Sequence, residues 1–285
     1  AAGVAYRVNA GVALTAGAPV GSSASRRACV DAFGQYCRNN SWDPVFVLIP
    51  ERGLELFGDG WRRLKIGEDA LIDLSRFETE VVTNKHFRNI RNRFTKLGCR
   101  VEVHQPPHSS QLLEELRVVN AAWLKSGKKQ WGFMQGAFET AYLQNGPLYV
   151  VRDGENRAVA FTNGTPSYAP HQATIDIMRH LPDAPNNTMD FLLMEVLLAA
   201  KTQGYREFNL GIAPLSNTTD STDSTPEERI VQLVARFNQG FISVDGLRQF
   251  KNKFEPTWES QYIVYRGLPT ALPKIALALS RATQV

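Results

Sequence analysis

Residues 174–201 read TIDIMRHLPDAPNNTMDFLLMEVLLAAK. The start of this stretch, with residue 173, reads as a strand carrying Asp176 and Arg179, and a proline-rich turn follows it. Asn187 or Thr188 then stands where a helix N-cap is wanted, with Asp190 in the first turn. A helix is expected from 187 to about 203, and the nearly apolar run 191–200 within it predicts that it is buried. Residues 207–210 return as a strand, so the segment alternates strand, helix and strand, the signature of an α/β sheet.

Outward from this segment the alternation continues. Towards the N-terminus, 158–162 and 148–152 read as strands, 109–124 as a helix and 100–104 as a strand. Residues 84–97 predict a helix in which Phe87, Ile90, Phe94 and Leu97 form one apolar stripe, with Gly98 as its C-cap. Further out lie strands at 64–74 and 45–49, a helix at about 25–39, and a strand pair over 4–14 followed by a turn at Gly17, Pro19 and Gly21. Towards the C-terminus, 216–226 reads as a polar loop, Pro226 opens a helix to about 238, and 273–281 is a short closing helix. Pro106 and Pro107 interrupt the pattern and place a domain boundary there. The first unit is 1–106, including the basic helix 84–97; the second is 107–285, opening with 109–124 as a linker helix.

A chain of 285 residues, 43% of them hydrophobic and 21% charged, has enough apolar side chain for two cores, which excludes a disordered or fibrous polymer. The three cysteines, Cys29, Cys37 and Cys99, are odd in number and lack metal-ligand spacing, which fits a reducing compartment. The apolar run 191–200 is half a bilayer span and is broken by Glu195. No basic stretch precedes the first apolar residues and no methionine opens the chain, so a secretory signal is not expected and the chain reads as cut from something longer.

The net charge of +4 is informative only through clustering. Lys85, His86, Arg88, Arg91, Arg93, Lys96 and Arg100 crowd a stretch whose other face is apolar, giving a cationic ridge suited to a phosphate backbone or, equally, a solvated surface. Phe87 and Phe94 fall on the packing stripe, so stacking on bases is not expected. Asp190 fits ordinary capping, yet on a buried helix it and Glu195 need partners. The third cluster, GLRQFKNKFEPTWESQY at 246–262, holds Arg248, Lys251 and Lys253 beside Trp258 and other aromatics. On a strand, Lys251 and Lys253 share a face and either clamp an anion or protect an edge. No nucleophile elbow, Walker loop, GxGxxG or HxExxH spacing stands in the chain, and its five histidines are scattered.

In order, KIGEDALIDLSRF, NRFTKLG, WLKSGKKQWGFMQGAF, IDIMRHLPDAPNNTMDF, FNLGIAPLS and GLRQFKNKFEPTWESQYIVY resemble the catalytic domain of the aminoacyl-phosphatidylglycerol synthases, the multiple peptide resistance factor family. The resemblance runs from about residue 4 to residue 265. It implies two tandem acetyltransferase-like (GNAT) units, related to the Fem transferases, joined by a basic helix. It implies that an aminoacyl group, lysyl or alanyl, passes from charged tRNA to a lipid hydroxyl of phosphatidylglycerol at the cytoplasmic face of the membrane, with no metal or organic cofactor. An N-terminal membrane domain outside this chain and resistance to cationic antimicrobial peptides are implied as well.

The site that the resemblance implies lies in the second unit. Asp190 would orient or deprotonate the acceptor hydroxyl, while Lys251 and Lys253 would hold a phosphate, with Arg179 as a second candidate for that task. Asp176, Asn209, Arg248 and Trp258 would be further substrate contacts, and Lys85, Arg88, Arg91 and Arg93 the tRNA-binding face. Two stretches depart from the family pattern. Gly17, Ala18 and Pro19 stand where relatives carry GDP, in what is expected to be the non-catalytic unit, and FMQGAF lacks a basic group near Ala137. Other readings compete: a sterol as acceptor, a non-catalytic tRNA- or membrane-binding module built on the basic helix and an amphipathic terminal helix, and a coenzyme A-dependent acetyltransferase. The last is poorly served by LPDAPNNT, which puts prolines where phosphate-binding amides are wanted.

Overall fold

The computed structural model describes residues 1–283 apart from 131, 134, 168, 170, 216–224, 226, 229 and 233–243. The polar loop expected at 216–226, and most of the helix expected after Pro226, lie outside the described residues. In chain order the strands and longer helices are β1 (Ala2–Gly3), β2 (Tyr6–Asn9), β3 (Val12–Ala16), β4 (Val20–Gly21), α1 (Ser23–Asn39), β5 (Asp43–Pro50), β6 (Trp61–Asp73), α2 (Lys85–Lys96) and β7 (Arg100–His104). There follow α3 (Ser110–Lys125), β8 (Leu148–Arg152), β9 (Ala158–Thr165), β10 (Gln172–His180), α4 (Thr188–Thr202), β11 (Glu207–Pro214), α5 (Val244–Asn252), β12 (Thr257–Arg266) and α6 (Leu272–Ala282).

This is a mixed α/β fold, as the alternation predicts. Ten strands form one sheet in the order β2-β3-β5-β12-β6-β11-β10-β9-β8-β7, and β1 pairs with β4 apart from it. Two neighbouring pairs, β3 with β5 and β10 with β11, are parallel, and the chain between their strands runs through α1 and α4 respectively. Because strand side chains alternate between faces, Val12, Leu14, Val45, Val47 and Ile263 pack with α6, while Ala13, Phe46 and Val264 pack with Val30 and Phe33 of α1.

The uniformly apolar helix α4 is buried: Phe191, Leu192, Leu193, Met194, Val196 and Leu197 are at most 5% exposed. It packs against the stripe of α2, where Phe94 and Phe191 stack with ring centroids 4.4 Å apart. Local signals set the helix ends. Asn84 accepts from the Phe87 N–H at 3.0 Å, Ser109 accepts from the Leu112 N–H at 3.2 Å, and Gly98 follows α2 at φ +66°.

Two expectations change. The cores do not divide at 106/107: Phe77, Phe87 and Phe94 share one core with α3, α4 and β8, whereas β12 and α6 complete the core begun by β3 and β5. The reason is geometric, since the stripe of α2 finds its partner in α4 and β12 lies between β5 and β6. The terminal helix is amphipathic as expected, but Leu272, Ile275 and Leu279 are covered by the sheet, so its apolar face is not free for a membrane surface. Among the described residues no helix is long and apolar enough to cross a membrane.

Candidate active site

Strands β10 and β11 pair only from Gln172 with Glu207 to Thr174 with Asn209; beyond that, β10 follows β9 and β11 follows β6. Parallel strands that part in this way leave a crevice at their carboxyl ends, where open α/β sheets bind ligands. A cavity of about 700 Å³ opens there. A register shift in β11 between Asn209 and Ile212 bends the strand at its rim. Gly211 takes φ +79° in this bulge and donates its N–H to Asn209 Oδ1 at 2.6 Å.

Lys251, in the last turn of α5, reaches the same bulge. The residue is 5% exposed, and its Nζ donates to the carbonyl oxygens of Gly211 and Ile212, each at 2.8 Å. Burial disfavours the ammonium and brings its pKa down to about 7, against the nearby charge of Asp69, which favours it. Asp69, on β6, accepts from Asn209 Nδ2 at 2.8 Å, and burial pushes its carboxyl up.

Asp176 and Arg179 of β10 supply another part of the lining. Asp176 Oδ2 accepts from the Gly136 N–H at 2.7 Å and from the Tyr142 hydroxyl, and burial raises both the carboxyl and the phenol. A Cβ on Gly136 would overlap the Asp176 carboxylate and the Tyr142 ring, so any side chain at this point of FMQGAF would force one of them to shift. Arg179 lies over the face of Trp123, 3.8 Å from the ring centroid, and donates from Nε to Asn120 Oδ1 at 3.2 Å. Burial lowers its pKa to about 10.

Asp176, Arg179, Asn209 and Lys251, all expected site residues, thus line one cavity. Four others stand elsewhere. Arg248 stacks on Trp258 at 4.1 Å and pairs with Glu68 at 2.7 Å, and neither Arg248 nor Trp258 lines the cavity. Lys251 and Lys253 lie not on a strand, the condition for a clamp, but at a helix end and in the turn after it, so the two lysines diverge. Lys253 Nζ pairs instead with Asp190 Oδ1 at 2.7 Å, and His86 Nε2 lies 3.2 Å from the same oxygen. Asp190 is 4% exposed and outside the cavity lining, and through these partners it ties α4 to α2 and to the turn after α5. Asn187, at φ +70°, precedes α4 without a side-chain cap bond.

On α2, Lys85, Arg88, Arg91 and Arg93 are exposed and form no ion pair among the described residues, while Phe87 and Phe94 are buried as expected. Glu195, on α4, has its carboxyl pushed up by burial, against the charge of Arg91. The cavity also takes residues that reading the sequence missed: Asp69, Glu207, Glu259 and Gln261. Nothing in the sequence singles out Asp69, since the strand 64–74 also carries Lys65, Glu68 and Asp73. Ala18 and Pro19 line the cavity too, so the turn that departs from GDP belongs to its wall.

The fold is shared with FemX, whose structure superimposes with a TM-score of 0.58 at 10% identity, covering 95% of this chain and 85% of that one. Within that class the chain belongs to the family described as phosphatidylglycerol lysyltransferase, C-terminal, which matches residues 1–265. The structure of L-PGS from Bacillus licheniformis superimposes with a TM-score of 0.84 at 32% identity, over 98% of this chain and 86% of that one. The phosphatidylglycerol lysyltransferases of Staphylococcus haemolyticus (strain JCSC1435) and Staphylococcus aureus (strain COL) are 32% and 33% identical over 262 residues, 92% of this chain. The chain spans 31% of the length of these two relatives.

Proposed function

We propose that this chain is an aminoacyltransferase that moves an aminoacyl group from charged tRNA to a hydroxyl of phosphatidylglycerol. The names of its relatives support the lipid, and the observation that carries the chemistry is Lys251, an amine buried in the cavity wall with its pKa brought down to about 7. In the reaction the lipid hydroxyl oxygen bonds to the ester carbonyl carbon as the bond from that carbon to the tRNA ribose oxygen breaks. Lys251 as free amine takes the hydroxyl proton and as ammonium returns it to the departing ribose oxygen, so the proton count closes within one turnover. Arg179, held flat on Trp123, offers its guanidinium to phosphate or to the developing oxyanion. The exposed cations Lys85, Arg88, Arg91 and Arg93 hold the tRNA by its backbone.

The reading includes the architecture. Two tandem GNAT units, each built round a parallel pair with its helix (β3-α1-β5 and β10-α4-β11), exchange elements, with α2 packing on the second unit and β12 and α6 on the first. The enzyme works at the cytoplasmic face of the membrane, with an N-terminal membrane domain in the full-length protein. The test is transfer of label from a pool of radiolabelled aminoacyl-tRNAs into extractable lipid, with phosphatidylglycerol vesicles, sterol vesicles and no lipid side by side. Label in phosphatidylglycerol is expected. Label in sterol alone would change the acceptor, and tRNA binding without label in any lipid would replace the transferase by a binding module.

A further inference from the structure

We propose that the outer face of α3 docks on a bilayer containing phosphatidylglycerol, with Val118 and Leu124 at headgroup depth and Lys125 and Lys129 over lipid phosphates. This rests on the transferase reading above and names the surface by which that enzyme meets its lipid. Helix α3 turns Leu112, Leu113, Leu116, Val119 and Trp123 into the core, and a helix with such a stripe is expected to be polar on its other side. Val118 is nevertheless 61% exposed and Leu124 37%. The exposed Ala121 stands three residues from each, so the three are neighbours along the outer face.

The charges on this face complement an anionic surface. Glu114 is paired with Arg117 at 3.1 Å, and Glu115 beside it with Arg152 at 2.9 Å, so both acids of α3 are already balanced within the protein. Lys125 and Lys129 are exposed and form no ion pair among the described residues, which leaves positive charge at the end of α3 and in the turn after it. Exposed apolar side chains with lysines beside them are what a helix needs to lie on anionic lipid, the first by burial among the headgroups and the second by attraction to phosphate.

The position of the face fits this task. Trp123 and Lys129 line the cavity, so the apolar stripe adjoins its wall and a docked bilayer stands beside it. The stripe also points away from the cationic ridge of α2. Both α3 and α4 pack on β9 and β10, and Ala158 to Asn163 of β9 are all buried, which takes a cover on each face of the sheet. Helix α3 covers the face of the cross-strand partners Phe161 and Arg179, since Arg179 lies on Trp123, and α4, with α2 packed against it, covers the other. A vesicle on one of these two basic surfaces is therefore distinguishable from a vesicle on the other.

Flotation of the 285-residue chain, without tRNA, uses vesicles of phosphatidylglycerol mixed with phosphatidylcholine and vesicles of phosphatidylcholine alone. The chain is expected to bind the first about tenfold or more tightly than the second, with binding that falls as salt rises. Val118→Glu with Leu124→Glu is expected to weaken binding about tenfold or more, and Lys125→Glu about fivefold or more. Both variants should transfer more slowly to phosphatidylglycerol in vesicles, and at the unaltered rate to a short-chain phosphatidylglycerol dissolved as monomers. If a variant does not fold, the unaltered chain decides: phosphatidylglycerol vesicles should shield Lys125 from an amine-acylating reagent and leave Lys85 of α2 open. Shielding of Lys85 with Lys125 left open would assign the vesicle to the ridge and overturn the proposal. Equal binding to both vesicles, binding to neither, or binding unchanged in both variants overturns it too. Flotation and shielding need no turnover, so failure of lipid transfer leaves them standing, whereas transfer to vesicle lipid at the unaltered rate by both variants refutes the docking surface alone.

Discussion

Lys251 sits where an ammonium is least well solvated, and the sign of its shift sets what pH does. Its pKa in the fold, about 7, lies below the usual 10.5, so the unfolded chain binds this proton more tightly than the folded one. The side chain therefore costs no stability above about 10.5, and its cost grows as pH falls towards 7 and is complete below it. Lys251→Met is expected to keep or raise the melting temperature at pH 7 while slowing transfer on the order of 10²–10⁴-fold. In the unaltered chain, transfer should rise with pH through about 7 and level off above it; a flat profile between about pH 6 and 8 would remove Lys251 from proton transfer. Gly136→Ala is expected to displace the Asp176 carboxylate and slow transfer about tenfold or more, with circular dichroism unchanged. Asp176, Arg179, Asn209 and Lys251 are legible in the sequence because each lies in a contiguous motif. Asp69 and Glu259 are not, because they meet only through the register of β6 with β12. The lysine pair misleads for a similar reason: on a strand, residues two apart share a face, but Lys251 ends α5 and Lys253 lies in the turn after it, so the two reach different partners.

Helix α2 has an apolar face and a cationic face, and what each does separates by mutation. Phe94→Ala removes the ring stacked on Phe191 and is expected to lower stability by about 3–5 kcal/mol in denaturant titrations. Replacing Arg88 and Arg91 together by glutamine should leave stability within about 0.5 kcal/mol, since both are exposed and neither forms an ion pair among the described residues. The same double variant should weaken tRNA binding and reduce the slope of log K against log salt by about 0.7–0.9 for each phosphate no longer neutralised. An unchanged slope would assign the ridge to mere solvation. The stripe of α2 can be read from its spacing, whereas its partner cannot, because periodicity says that a face is buried and not against what. The same holds for Asp190: its need for partners follows from the apolar helix around it, and the identity of Lys253 and His86 does not.

At the scale of the molecule, β6 and β12 lie side by side near the middle of the sheet, and the cavity draws on both halves of the chain. A fragment of residues 1–106 lacks β12 and α6, leaving Val12, Leu14, Val45 and Val47 without cover. It is expected to show no cooperative melting and poor amide dispersion by NMR; a well-folded fragment would mean that the first unit stands alone. The fold class is legible from alternation, while the strand order is not, because β12 enters between strands more than a hundred residues earlier.

That late entry has a consequence for synthesis. A ribosome that has translated as far as residue 256 holds a chain whose β5 and β6 both still wait for the strand between them. Such long-range closure is slow and exposes unpaired strand edges while it waits. The first core and the Glu259 side of the cavity therefore form together, and no truncated nascent chain carries a finished pocket.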